Sequence, residues 1–110
     1  MKLDITARHF ALTPAIESFV SKKVGGMELF VTGELKVHAI LSVDKYLHAA
    51  ELVVHADHRV CRAQAVSKDM LDAINKAVKK LERELSTHHK KEREKEIRKL
   101  RNQRKRGVRP

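Results

Sequence analysis

The sequence has no tryptophan, one tyrosine and three phenylalanines. Binders that stack single-stranded bases expose aromatic rings on a sheet or in a groove. The strands of this chain offer none, so any nucleic acid should be held by phosphate and shape rather than by stacked bases. Cysteine is as scarce. The single Cys61 excludes an intrachain disulfide, fits a reducing compartment, and in an apolar strand reads as a core residue. No apolar run approaches the roughly 20 residues of a membrane span. MKLDITARHF lacks the apolar segment of a signal peptide. A bacterial cytosol is the expected location, with no membrane partner.

Enzyme motifs are missing too. There is no G-x-S-x-G, no H-E-x-x-H and no paired-cysteine motif. Gly25-Gly26 is the only glycine pair; it follows a helical stretch, not a strand, and is no phosphate-binding loop. His55-x-x-His58 spans a strand end and a turn, with no third ligand at motif spacing. His38 and His55 read as sheet-face residues, and His88-His89 extend a basic surface. No enzymatic activity, cofactor or metal is expected.

What the chain has in excess is positive charge. Its 110 residues carry a formal net charge of +10, which points to an anionic partner. Residues 1–85 hold 13 lysines and arginines against 11 acids, while residues 86–110 hold 11 against 3. The body is nearly balanced, so it can bind an anion only by sorting its charges onto faces.

Apolar periodicity gives the elements. KLDITA (2–7) alternates as a half-buried strand. Thr13-Pro14 then marks a helix start, with Ile16, Phe19, Val20 and Val24 as the apolar stripe of residues 14–24. Gly25-Gly26 should end or loosen that helix, and Met27, Leu29 and Phe30 should pack as an irregular continuation. LKVHAILSV (35–43), HAAELVVHA (48–56) and RVCRAQAV (59–66) alternate as three more strands. The short turns at Asp44-Lys45-Tyr46 and Asp57-His58 imply an antiparallel meander. KDMLDAINKAVKKLEREL (68–85) is a helix capped by Ser67 or Asp69, packed as far as about Leu85. The remainder should outrun the domain as a basic helical extension and then a disordered tail. The expected fold is α+β, a two-layer β-α-β-β-β-α sandwich. Its four-stranded sheet carries two helices on one face, and strands 1 and 2 are parallel if they are neighbours.

The second helix holds the sharpest functional signal. At 100° per residue, Ile74, Ala77, Leu81 and Leu85 cluster near Met70. Lys76, Lys79, Lys80 and Arg83 occupy the opposite side. A solvated amphipathic helix would look the same. However, Lys90 continues the stripe, and Lys22-Lys23 lie near the end of the first helix. Two helices on one sheet face would bring these groups together as a cationic ridge for a phosphate backbone.

The chain also resembles the ribosome hibernation promoting factor family, which includes the ribosome-associated translation inhibitors. The likeness runs through about residues 1–91. It is carried by LDITAR, LTPAIESFV, ILSVDKYLHAAELVVHA with His48, and most clearly KDMLDAINKAVKKLEREL. The resemblance implies a fold similar to double-stranded-RNA-binding domains. It also implies binding of the small ribosomal subunit and its RNA between head and body, where messenger and transfer RNA would otherwise lie. Translation then stops, and idle ribosomes are preserved. The implied contacts are Lys80 and Arg83 at signature positions and Lys22 and Lys23 on the first helix. Lys76 and Lys79 share the same face, and Lys90 and Lys91 lie just beyond. Leu71 stands where the family commonly has tyrosine, Thr87 where it commonly has lysine, and the tail is basic where some inhibitors have an acidic one. The chain resembles the short form, lacking the C-terminal domain that pairs ribosomes in long members. A monomer off the ribosome is expected, with a second factor needed for ribosome dimers. The competing reading is a structured-RNA binder or RNA chaperone acting off the ribosome.

Overall fold

Each alternating stretch is a strand in the computed structural model, which describes residues 1–87. The strands are β1 Lys2–Arg8, β2 Lys36–Asp44, β3 Leu47–Ala56 and β4 Arg59–Ser67. One-sided burial is the cause. Val37, Ala39 and Leu41 of β2, Ala50, Leu52, Val54 and Ala56 of β3, and Cys61 and Ala65 of β4 are buried. Their sequence neighbours His38, His55, Arg62 and Gln64 are exposed. A strand side chain alternates faces with period two, so a slip of one residue would turn the whole core outward. The register is accordingly continuous: Ile5 faces Ala39, Ala39 faces Leu52, and Leu52 faces Ala63.

The sheet order is β1-β2-β3-β4. Strands β1 and β2 are parallel, and the other two pairings are antiparallel. Each hairpin turn has two residues. Asp57 and His58 both take left-handed backbone, with φ of 50° and 62°, the pattern of a type I′ turn that matches strand twist. Asp57 secures this turn to the loop before β2: its Oδ1 accepts from Thr32 N at 3.2 Å and from Thr32 Oγ1 at 2.8 Å. In the other turn Lys45 alone is left-handed, with φ of 58°.

Helix α1 covers Pro14–Gly25. Thr13 caps it by accepting from Ile16 N at 3.2 Å, and Pro14 takes the first helical position, where a missing N–H costs nothing. The α-helix does end at the glycine pair, but by tightening rather than breaking. Gly25 and Gly26 keep right-handed backbone (φ −57° and −63°), and a 3-10 turn follows over Gly26–Phe30. Three residues per turn put Met27 and Phe30 on one side. Met27 is buried, while Leu29 is 82% exposed, so Leu29 does not pack as the sequence suggested.

Helix α2 spans residues 70–87 of the described chain. Asp69 Oδ2 caps it by accepting from Asp72 N at 3.2 Å, and Ser67 Oγ donates to Asp72 Oδ2 at 2.6 Å. Met70, Ala73, Ile74, Ala77, Val78, Leu81 and Leu85 form its buried stripe. Truncating Ile74 or Leu81 to alanine would cost about 2–5 kcal/mol. The proposed boundary at residue 91 and the basic extension over 92–110 lie outside the described residues.

Topology fixes the direction of both helices. Strands β1, β2 and β4 run the same way, and each helix returns along the sheet from a strand's end. Thus α1 and α2 are parallel. Their N-termini lie at the end with the Lys45-Tyr46 turn, and their C-terminal halves lie at the end with the Asp57-His58 turn. The Arg59–Glu84 ion pair, at 3.6 Å, seats α2 over β4 at that second end.

Candidate nucleic-acid interface

The cations of α2 fall into two groups according to what lies beside them. Lys79 and Arg83, at i and i+4, point away from the buried stripe, and both are exposed. With Glu82, Ser86 and Thr87 they line a shallow depression of about 620 Å³. Among the described residues, neither joins an ion pair. Lys76 and Lys80 are already engaged. Lys76 Nζ lies 3.0 Å from Asp72 Oδ2 one turn back. Lys80 Nζ donates to the carbonyl of Gln64 in β4 at 2.7 Å. Both stay exposed, but their charges are partly committed.

Helix α1 brings Lys22 and Lys23 to the same end of the molecule. Lys22 is exposed. Lys23 is half-buried and sits 5.5 Å over the Phe19 ring, a cation–π contact along one helix turn. The helices approach closely here: a Cβ added at Gly26 would stand 4.0 Å from Glu82 Oε1. Glu82 therefore lies between the two groups. The structure brings Lys22, Lys79 and Arg83 to one end of neighbouring, parallel helices. It turns Lys80 toward the sheet edge and pairs Lys76. Lys90 and Lys91 lie outside the described residues.

Hydrogen bonds perturb one carboxyl group near the start of α2. Donation by Ser67 Oγ, then by Lys76, holds Asp72 below the ordinary carboxylate range. In the core, burial first and then Glu84 push the Cys61 thiol up, which fits a packing role. Among the described residues no group of three or more His, Cys, Asp or Glu side chains could hold a metal. No described helix is long and apolar enough to cross a membrane.

Sequence reasoning missed a second polar cluster, at the other end. Arg8, His9, Ser42, Val43, Asp44 and Lys45 line a recess of about 740 Å³. Tyr46, next to it in the chain, is 72% exposed. The strand faces hold no exposed aromatic among the described residues, as expected, but the turn does. The pairing of Arg8 with Ser42 is what brings β1's end beside this turn. No local motif announces it.

The family model described as "Sigma 54 modulation protein / S30EA ribosomal protein" matches residues 3–93. A ribosome hibernation promoting factor of Escherichia coli K12 is 31% identical over 88 residues, which are 80% of this chain and 93% of that protein. One from Klebsiella oxytoca is 33% identical with the same coverage. Among solved structures, the N-terminal domain of Thermus thermophilus protein Y superimposes with a TM-score of 0.77 at 27% identity, covering 80% of this chain and 99% of that one. A ribosomal subunit interface protein from Coxiella burnetii gives 0.70 at 24% identity, covering 80% and 97%, a likeness of fold.

Proposed function

Because the chain belongs to the Sigma 54 modulation protein / S30EA ribosomal protein family, a family of ribosome hibernation factors without enzymatic activity, we propose that it binds the small ribosomal subunit in the channel used by messenger and transfer RNA. It stops translation by filling that space, with no chemistry. The contacts are phosphates of ribosomal RNA, met by Lys22, Lys79 and Arg83, with Lys23, Lys76, Lys80, Lys90 and Lys91 adding charge around them.

The supporting observation is that Lys79 and Arg83 point outward and join no ion pair among the described residues, on a helix parallel to α1, whose own cations reach the same end. Each phosphate neutralised by such a side chain releases counterions, so affinity should fall steeply with salt. Purified small subunits, competed with initiator transfer RNA, provide the test. Lys79→Glu/Arg83→Glu should fold normally, bind at least tenfold more weakly, and lower the salt slope by about 2. Unchanged binding would overturn the ridge. Binding that initiator transfer RNA fails to displace would put the contact outside the channel, and no binding to the subunit beside retained binding to free structured RNA would favour an RNA binder acting off the ribosome.

A further inference from the structure

We propose that the β2–β3 turn is a second RNA contact, in which the Tyr46 ring stacks on an unpaired base while Arg8 and Lys45 hold the adjacent phosphate. The inference goes beyond the helix ridge, which lies at the other end of the sheet. Strand β3 alone has 10 residues, so the two sites stand roughly 30 Å apart.

Three observations carry it. First, Tyr46 is 72% exposed and its neighbour Leu47 46% exposed. A hydrophobic core would have claimed these side chains if the fold had room for them. Here the two-residue turn projects the ring past the sheet, and the left-handed backbone at Lys45 (φ 58°) fixes the turn's shape. Second, the recess that ends at Lys45, the residue before Tyr46 in the same turn, is cationic. Arg8 and Lys45 line it, with His9, against one acid, Asp44. Arg8 and Lys45 join none of the ion pairs among the described residues. Third, the recess is open to solvent and shallow, with side chains from two strand ends and a turn. An exposed ring that follows a cationic recess in the chain suits single-stranded nucleic acid: the ring accepts any base, and the cations track the backbone. A duplex offers no free base face to such a tip, so the ligand is RNA with unpaired nucleotides.

The chain contains one tyrosine beside three phenylalanines and seven histidines, so with tyrosine isotope-labelled the tyrosine ring signals in a proton NMR spectrum report on this site alone. The experiment adds a short single-stranded RNA of mixed sequence, or a blunt RNA duplex, to the full chain. Single-stranded RNA should move the Tyr46 ring resonances upfield; duplex should not. Tyr46→Ala should weaken single-strand binding about fivefold or more, and Tyr46→Phe should restore it, because the ring rather than the hydroxyl makes the contact. Arg8→Glu/Lys45→Glu should weaken it and flatten its salt dependence. Ring signals that do not move, an alanine variant that binds like the parent, or a phenylalanine variant as weak as alanine would each overturn the proposal. So would ring signals that respond to a ribosomal protein fraction but not to RNA, since that would make the tip a protein contact. None of these readouts needs the small subunit. Failure here therefore leaves the channel-binding reading standing, and failure there leaves this one.

Discussion

Asp72 shows how one side chain can serve the fold and restrain the ridge at once. It accepts from Ser67 near the start of α2 and holds the Lys76 ammonium. These partners stabilise its ionised form, so its folded-state pKa lies below the ordinary carboxylate value. The unfolded chain then binds the proton more readily, and stability rises with pH through this window. The contribution is complete above about pH 4 and is lost as pH falls through the depressed value. Asp72→Asn should be less stable at neutral pH and show a shallower loss of stability below pH 4, measured by circular dichroism of urea unfolding at a series of pH values. The residues were legible in the sequence, but their commitments were not. Helical spacing put Lys76, Lys79, Lys80 and Arg83 on one face. It could not show that Lys80 reaches Gln64, because β4 comes beside α2 only through tertiary packing. It also left Leu29 looking like core, because an irregular continuation gives an apolar residue no definite side, whereas the 3-10 turn puts Met27 and Phe30 inward and Leu29 outward.

At the scale of elements, the glycine pair is the point where local rules and structure diverge most usefully. Glycine at a helix end commonly supplies left-handed backbone. Here Gly25 has φ −57° and ψ −32°, and a Cβ added to it would meet nothing within 4 Å. Its freedom is therefore a cost in the unfolded chain with no return in the folded one. Gly25→Ala should stabilise the protein by about 0.4–1 kcal/mol, measured as a higher urea midpoint at unchanged slope. The strands were readable nearly residue by residue. Alternation with one buried face leaves little choice of register, and two-residue turns leave little choice of neighbour. The exposed Tyr46 escaped because periodicity describes strands and is silent about what a turn projects.

Over the whole molecule, the parallel course of α1 and α2 sorts charge that is nearly balanced across residues 1–85. Lys22, Lys79 and Arg83 collect at one end, with Glu82 set between the helices. A carboxylate there opposes an incoming phosphate. Glu82→Gln should tighten small-subunit binding about two- to fivefold at low salt, with the gain fading as salt rises. Titration of labelled protein against purified subunits at two ionic strengths measures it. The fold class followed from element order alone, because a strand–helix–strand crossover and a three-stranded meander close into few arrangements. The interface was legible only as a sector of one helix; which cations remain free depended on neighbours far apart in the chain.

The reach of Lys80 onto the Gln64 carbonyl has a consequence for how the protein behaves at high concentration. Strand β4 ends the sheet, and an unguarded outer strand invites a second molecule to zip onto it. A side-chain ammonium parked there acts as a bumper, since two such rims would bring like charges together. Neutralising that lysine, by acetylation or by replacement with methionine, would expose the rim and favour self-association, quite apart from any loss of RNA affinity.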